Sequence, residues 1–406
     1  MKRVVITGIG TMTPFGEGVG PLMSGLESGK STICRMEGWE RYKGLQSLIG
    51  APAEIGDIQF IPRKKRRSMG RLSLFTVKAA IQAIRDAGLS PEEMADKNTG
   101  CIIGSTMGGA EALSNAFEVM FPERDLSHLT SMEFFKCVSH TAAMNLSQYL
   151  GLKGIVMATS AACASALQAI GTGFDLIRLG RQDIILCGGA EELHPTVTGS
   201  FDILFATSTH YNEEPGKSPR PFDRDRDGIV CGEGSGVLFL EEYEHARARG
   251  AKIYAEITGY HTCGSGDHIS QSNHKAMIQC MKTALNEAGV CPEEIDYVSA
   301  HATATIHGDV EEVRSIRALF GDNVPVSSLK GAIGHTLGAS GAIELGASLM
   351  MMQNGVLLPT LHLDNIDPEC DGIFHLTHSL EKEVNMIVKN CFAFGGINAS
   401  LVCRRI

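Results

Sequence analysis

The strongest constraint on how this chain folds is an internal repeat. Asp86-Ala87-Gly88-Leu89-Ser90-Pro91-Glu92-Glu93-Met94 aligns with Glu287-Ala288-Gly289-Val290-Cys291-Pro292-Glu293-Glu294-Ile295, 201 residues further on. Each copy closes an amphipathic pattern, stops at a glycine suited to the residue that ends a helix, and turns through Pro-Glu-Glu into an apolar run. In the first copy Leu72, Phe75, Ala79, Ala83 and Ile84 recur at helical spacing, which predicts a helix over about residues 68–87. The runs that follow, around residues 101–104 and 297–300, read as strands ending at Ser105 and His301. The order continues. A strand at Val156 and a helix after Cys163 correspond to Val324-Pro325-Val326-Ser327-Ser328 and a helix over about residues 338–352. Three matches in one order make duplication a better account than chance.

Strands alternating with helices predict an α/β architecture with largely parallel sheets. The second-half helix is apolar through Leu345, Gly346, Ala347, Leu349, Met350 and Met351, which suits helices buried between two sheets. Residues 4–7 read as the first strand, Gly8 to Gly16 as a glycine and proline turn, and residues 20–70, with the only tryptophan at Trp39, as irregular. Division into two halves, residues 1–250 and 251–406, follows from the repeat. Ligands in such folds sit beyond the C-terminal ends of strands. Cys163 and His301 both follow strands, so one cleft can hold both.

Composition removes several function classes. With 43% hydrophobic and 20% charged residues the chain is neither disordered nor membrane-spanning, and no apolar run reaches the length of a span. A net charge of −10 gives no general affinity for nucleic acid. Met1-Lys2-Arg3-Val4 leads straight into a strand, unlike a secretory signal. The 12 cysteines show no paired or zinc-like spacing, the pattern of reduced cytoplasmic thiols. One local exception is Arg63-Lys64-Lys65-Arg66-Arg67, five consecutive cations that read either as a solvated loop or as a dock for an acidic partner.

Four stretches carry possible chemistry. In Val156-Met157-Ala158-Thr159-Ser160-Ala161-Ala162-Cys163-Ala164-Ser165 a strand gives way to small residues and one cysteine at a helix start. Backbone N–H groups and the helix dipole there favour a thiolate, although a small buried sulfur is the alternative. His301 lies just past a strand in Ala300-His301-Ala302-Thr303-Ala304-Thr305, and His335 in the glycine-rich Gly334-His335-Thr336-Leu337-Gly338-Ala339-Ser340-Gly341. With Cys163 they satisfy a nucleophile-plus-base pattern, and Lys330 and Glu344 add charges that set protonation. Phe392-Ala393-Phe394-Gly395-Gly396-Ile397-Asn398 reads as a hairpin turn or as an oxyanion hole. Phe222-Asp223-Arg224-Asp225-Arg226-Asp227-Gly228 mimics calcium-loop spacing without the closing acid and reads as a salt-bridged loop. His261, Cys263, His268 and His274 fit no zinc spacing, so no metal is expected.

Together these motifs, with Gly188-Gly189-Ala190-Glu191 and Gly232-Glu233-Gly234, resemble a β-ketoacyl-acyl-carrier-protein synthase of the KAS I/II condensing type over essentially the whole length. The resemblance implies a duplicated thiolase-like fold: five layers, α-β-α-β-α, with two mixed sheets around buried helices. It implies that Cys163 accepts the acyl chain as a thioester, and that His301 and His335 bind the malonyl thioester carbonyl and support decarboxylation. Lys330 is then the lysine beside the second histidine, with Asp309, Glu312 and Glu344 as acidic partners of that network. Phe394 is the gate, its N–H joining that of Cys163 in the oxyanion hole. Thr303, Thr305 and Ser270 fall where the pantetheine arm is contacted, Met107 and Phe201 where the acyl pocket is lined. No cofactor is implied. The partner is an acidic acyl carrier protein, which would dock on Arg63, Lys64, Lys65, Arg66 and Arg67, and the chain would be a homodimer or pair with a chain-length factor.

Departures from the family pattern are Ala302 and Ala393 at usual glycines, Ile306 at a proline, Ile397 at a threonine, and Asp202-Ile203-Leu204-Phe205 in place of Gly-Ala-Ala-Arg. They are expected to reshape the substrate channel and loosen the gate. Serving fatty-acid elongation or a dedicated polyketide or polyene pathway both stay open. The rivals are a chain-length-factor-like subunit, which generally lacks the nucleophile, and a thiolase acting on coenzyme A thioesters, which needs a second catalytic cysteine near the C-terminus; Cys391 is the candidate for it, but the Phe392-Ala393-Phe394-Gly395-Gly396 context speaks against that.

Overall fold

The duplication appears as two sheets that share one strand order, the second extended by one edge strand. In the computed structural model, which describes residues 1–95, 98–121, 123–268 and 271–406, the first half contributes β1 (Val4–Thr13), β2 (Gly100–Gly104), β3 (Val156–Thr159), β4 (Ile184–Glu191) and β5 (Gly234–Glu242). The second contributes β6 (Ala255–Gly264), β7 (Tyr297–Ser299), β8 (Pro325–Ser327), β9 (Phe374–His375), β10 (Met386–Ala393) and β11 (Ile397–Arg404). The first sheet runs β1-β5-β4-β2-β3 and the second β6-β11-β10-β7-β8-β9. In each, an antiparallel pair adjoins a parallel trio: β4 and β3 flank β2 as β10 and β8 flank β7. The two mixed sheets also meet edge to edge. Val4, Val5 and Ile6 of β1 pair with Ile257, Glu256 and Ala255 of β6, so among the described residues the halves form one continuous ladder.

Helices fill the three remaining layers. They include α1 (Val19–Glu27), α2 (Arg71–Asp86), α3 (Thr141–Leu150), α4 (Ser165–Arg178), α5 (Pro195–Asp202), α6 (His274–Ala288), α7 (Ile306–Phe320) and α8 (Ser340–Asn354). On one outer face Leu72, Phe75 and Ile84 of α2 and Leu146 of α3 pack on Ile103, Leu186 and Phe239. On the other, Met281 of α6 and Val313 and Ile316 of α7 pack on Val298, Val326 and Val388. Between the sheets lie α4 and α8, where Leu167, Ile170, Phe174, Ile343 and Leu345 meet Ile102, Ile185, Ile257 and Ile387. Alternation along a strand sorts these contacts. Ile102 faces the middle layer while Ile103 faces outward, as a period of two requires.

The first-half helix starts at Arg71 rather than near residue 68, because Gly70 is extended. Residues 20–70 are more regular than their composition predicts. α1 forms despite Pro21 and Gly25, because Leu22, Met23 and Leu26 bury one face. Gly25 is required there: a Cβ would lie 2.3 Å from the Phe15 ring. The cationic run is a single helical turn over Arg63–Arg66 rather than a loop.

Candidate active site

Cys163 sits between β3 and α4 on a turn that few sequences tolerate. Ala162, just before it, is left-handed at φ 47°, a conformation that costs a non-glycine residue roughly 1 kcal/mol or more. Ser165 braces the turn: its hydroxyl accepts from the Ala161 N–H at 2.8 Å and donates to the Ala162 carbonyl at 2.6 Å. Gly104 at the end of β2 lets the first turn of α4 rest on the sheet, since a Cβ there would lie 2.5 Å from the Ser165 carbonyl carbon. The other two chemical loops carry the same strain, Ala304 at φ 69° after His301 and Leu337 at φ 45° after His335. Positive-φ residues other than glycine cluster where side chains are aimed by the backbone.

These turns bring the cysteine and both histidines together. Cys163 Sγ lies 2.9 Å from His335 Nε2, the two imidazoles meet edge to face with centroids 5.2 Å apart, and ligand atoms of all three residues lie within 4.8 Å of one another. His335 Nδ1 is 3.0 Å from the Ser340 hydroxyl, which also reaches Thr336 at 3.1 Å. A hydroxyl can accept from or donate to Nδ1, so Ser340 supports either imidazole tautomer. The His301 loop is held through its backbone: Glu312 of α7 accepts from the N–H groups of His301 and Ala302 at 2.8 and 2.6 Å. Asp309, one turn earlier, accepts from Thr303 N–H at 3.1 Å and Phe222 N–H at 2.9 Å.

Beneath the histidines Lys330 pairs with Glu344 at 2.6 Å, and Lys389 pairs with the other oxygen of the same carboxylate. All three are buried, leaving a net positive charge below the site. Burial and then the Lys330 charge hold His301 and His335 well below the ordinary histidine value, so both are neutral at pH 7. Burial lifts Glu344, but Lys330 and Lys389 outweigh it and leave the carboxyl below its usual range. Burial carries Asp309 to about 6 and Glu312 to about 7.

The thiolate expected from the helix start is not the resting form. Cys163 precedes the Ala164 cap instead of lying inside α4, and burial pushes its thiol up to about 12. A protonated thiol facing a neutral imidazole is therefore the ground state, and the imidazole can take the proton as the sulfur attacks.

Over the triad opens a cleft of about 400 Å³, lined by Cys163, His301, His335, Thr303, Thr305 and Phe394 among others. The Thr303 and Thr305 hydroxyls lie 3.2 Å apart on one wall. Phe394 follows β10 in the turn to β11, with Gly395 and Gly396 both left-handed, and its ring packs on Phe201 at 5.8 Å. Phe201 itself is buried behind that ring and outside the cleft. Ala393 is paired with Ile397 at the last rung of the hairpin, so both departures beside the gate lie in the ladder. Met107 does not line the cleft: it is 44% exposed on the loop after β2, next to Gly108 at φ 72°. Ser270 lies outside the described residues.

Three contributing residues carry no role in the sequence reading. Glu191, at the end of β4, accepts from Thr106 N–H at 2.8 Å and Gly338 N–H at 3.0 Å, tying a first-half loop to the loop of His335. Lys389 is a lone cation inside the apolar strand Met386-Ile387-Val388-Lys389, a signal that a buried acid must face it. Ser340 carries no such signal. The Phe222 loop is salt-bridged as expected, with Arg220 on Asp223 at 3.0 Å, and its Asp227 and Gly228 also form part of the cleft wall.

The chain matches the family described as Beta-ketoacyl synthase, N-terminal domain over residues 1–246 and Beta-ketoacyl synthase, C-terminal domain over residues 254–364. It is 35% identical to the 3-oxoacyl-[acyl-carrier-protein] synthase 1 of Escherichia coli (strain K12), covering all of both chains. Its structure is similar to the crystal structure of a beta-ketoacyl synthase from Burkholderia phymatum STM815, with a TM-score of 0.96 and 42% identity over all of both chains. It is also similar to the ishigamide ketosynthase/chain length factor, with a TM-score of 0.92 and 29% identity over 100% of this chain and 99% of that one. The nucleophile elbow, the paired histidines and these matches lead to one conclusion: the chain belongs to the β-ketoacyl synthase family.

Proposed function

We propose that this chain is a β-ketoacyl-acyl-carrier-protein synthase that joins an acyl thioester on Cys163 to malonyl-carrier, in fatty-acid or type II polyketide or polyene elongation. The observation that carries the reading is the 2.9 Å contact between Cys163 and His335 with His301 beside it, beneath one open cleft.

In the first step the thiol of Cys163 attacks the carbonyl of the carrier-borne thioester as its proton passes to His335 Nε2. The N–H groups of Cys163 and Phe394 receive the oxyanion, and collapse expels the carrier thiol, which takes the proton back. In the second step malonyl-carrier enters and its thioester carbonyl accepts from His301 and His335. Loss of carbon dioxide leaves an enolate held by those N–H groups, a preorganised interaction commonly worth about 3 kcal/mol per donor. Its carbon attacks the acyl carbon on Cys163, giving β-ketoacyl-carrier and the Cys163 thiolate, which takes up a proton from solvent by way of His335 to restore the resting thiol. Lys330 and Lys389, anchored on Glu344, keep both imidazoles neutral so that they donate without becoming acids. Asp309 and Glu312 hold the His301 loop, Thr303 and Thr305 meet the pantetheine arm, and Phe201 backs the Phe394 gate. The chemistry uses no metal or redox cofactor. Residues 1–250 thus supply the acyl acceptor and residues 251–406 the histidines.

The relative's name supports an acyl carrier protein as partner. Of the five cations, Lys65 donates to the Tyr149 carbonyl at 2.7 Å and Arg66 reaches the Ile58 carbonyl, which leaves Arg63, Lys64 and Arg67 exposed to steer an acidic carrier. A homodimer is supported by the edge strand β3, whose Val156 and Met157 are exposed; sedimentation of the purified chain against a heterodimer with a chain-length factor tests it. All 12 cysteines are free thiols, which suits a cytoplasmic location, and among the described residues no helix is long and apolar enough to cross a membrane.

Mass spectrometry after mixing with acyl-carriers of graded length tests the reading. Acyl mass on Cys163, absent from Cys163→Ala, is the expected result; an unmodified wild-type chain across all lengths overturns it.

A further inference from the structure

The lip of the cleft holds a residue that the fold alone would not select. Helix α5 ends with a bond from Phe205 N–H to the Asp202 carbonyl at 2.9 Å and one from Ala206 N–H to the Phe201 carbonyl at 3.1 Å. That pair of bonds closes a helix through one left-handed residue, a position taken mostly by glycine and sometimes by asparagine. Here it is Phe205, at φ 55°. The ring gains nothing from the fold, being 88% exposed. A bulky aromatic that is both strained in its backbone and bare to water is unfavourable twice over.

Its position supplies a reason. Phe205, Leu204, Ile306 and His307 all line the cleft, and their exposure puts them at its mouth. Leu204 and Ile306 are each 55% exposed, so the rim shared with Phe205 is apolar. The lip is also fixed: Ile229 N–H donates to the Ala206 carbonyl at 2.8 Å, binding it to the cleft wall. Cys163 is 1% exposed at the floor. A thioester that reaches Cys163 while still attached to a carrier leaves its tether in the mouth throughout the reaction. The pantetheine tether is amides and methylenes ending in a gem-dimethyl carbon near its carrier end, which is the apolar group an aromatic lip can cover.

We propose that Phe205 is a specificity-determining residue, its ring closing with Leu204 and Ile306 over the apolar end of the pantetheine tether. This rests on the reading above that the chain takes carrier-borne thioesters. Phe205 thereby favours substrates that carry the full arm over truncated ones, without touching the reacting atoms.

The test compares kcat/KM for Cys163 acylation by an acyl-carrier and by the same acyl group on N-acetylcysteamine, which lacks the gem-dimethyl portion. In Phe205→Gly and Phe205→Ala the ratio of the two values is expected to fall about tenfold, carried by KM for the carrier substrate, as for partial loss of one buried aromatic contact. Phe205→Gly also relieves the left-handed strain and is expected to melt higher than Phe205→Ala. A ratio unchanged in both variants, with an active wild type, overturns the lip alone. A ratio that falls in Phe205→Gly but not in Phe205→Ala assigns the effect to the backbone and likewise overturns it. A wild type acylated by neither substrate overturns both this and the proposed function.

Discussion

Cys163 Sγ and His335 Nε2 stand 2.9 Å apart although 172 residues separate them in the chain. The contact joins the start of the middle-layer helix of one repeat to the loop before the equivalent helix of the other. Neither half alone holds both groups.

Because His335 is held well below its ordinary value by burial and Lys330, it remains a free base throughout the neutral range. Acylation of Cys163 is therefore expected to be level from about pH 6.5 upward and to fall only well below the ordinary histidine value of about 6.5. Stopped-flow acylation across pH checks this. A rate that climbs with pH through 8 would show that a pre-formed thiolate is the nucleophile.

The same two histidines make the fold acid-sensitive. Their folded values lie below their unfolded ones, so below about pH 6.5 the unfolded chain binds more protons and stability falls on acidification. Replacing both by asparagine is expected to flatten the fall of the melting temperature between about pH 6.5 and 5. Asp309 and Glu312, with raised values, act in the opposite sense and are common to both proteins.

Glu344 serves two buried lysines. Glu344→Ala leaves two uncompensated cations and is expected to destabilise the fold by roughly 3–5 kcal/mol. Lys389→Met leaves a one-to-one pair of Lys330 with Glu344 and is expected to be milder. Thermal melts of the two variants rank them; the reverse order would mean that the carboxylate is not what holds the lysines.

Glu191 fixes the loop of His335 to the first half through Gly338 N–H and Thr106 N–H. Glu191→Ala leaves both donors unpaired in a buried place, at about 1–3 kcal/mol each. Acylation is expected to slow with KM for the acyl-carrier little changed, because the substrate touches neither residue.

Much of this was legible from the chain. The Pro-Glu-Glu repeat predicts the shared strand order, and the apolar helix around Leu345 predicts the middle layer, because both depend on periodic burial. Cys163, His301 and His335 stand out because small residues surround them where strands end. What was not legible depended on contacts distant in sequence or on charge in three dimensions. α1 is hidden by Gly20 and Gly25, whose low propensity tertiary packing overrides, and by Pro21, which the first turn tolerates because its N–H has no partner there to lose. The thiol's protonation is not legible locally, because position at a helix start suggests the dipole while burial, which sequence does not report, dominates. The Met107 motif points to the acyl pocket, yet its side chain stands exposed outside this cleft, a placement that its immediate neighbours in sequence do not report.

The most direct measurement separates the work of the two halves in one protein. His301→Ala, supplied with acyl-carrier and then malonyl-carrier, is expected to take acyl mass on Cys163 at close to the wild-type rate. It should release carbon dioxide and form β-ketoacyl-carrier about a hundredfold to a thousandfold more slowly, the loss typical of one preorganised donor. Equal slowing of acyl uptake and of decarboxylation would contradict the division of roles between Cys163 and the histidines.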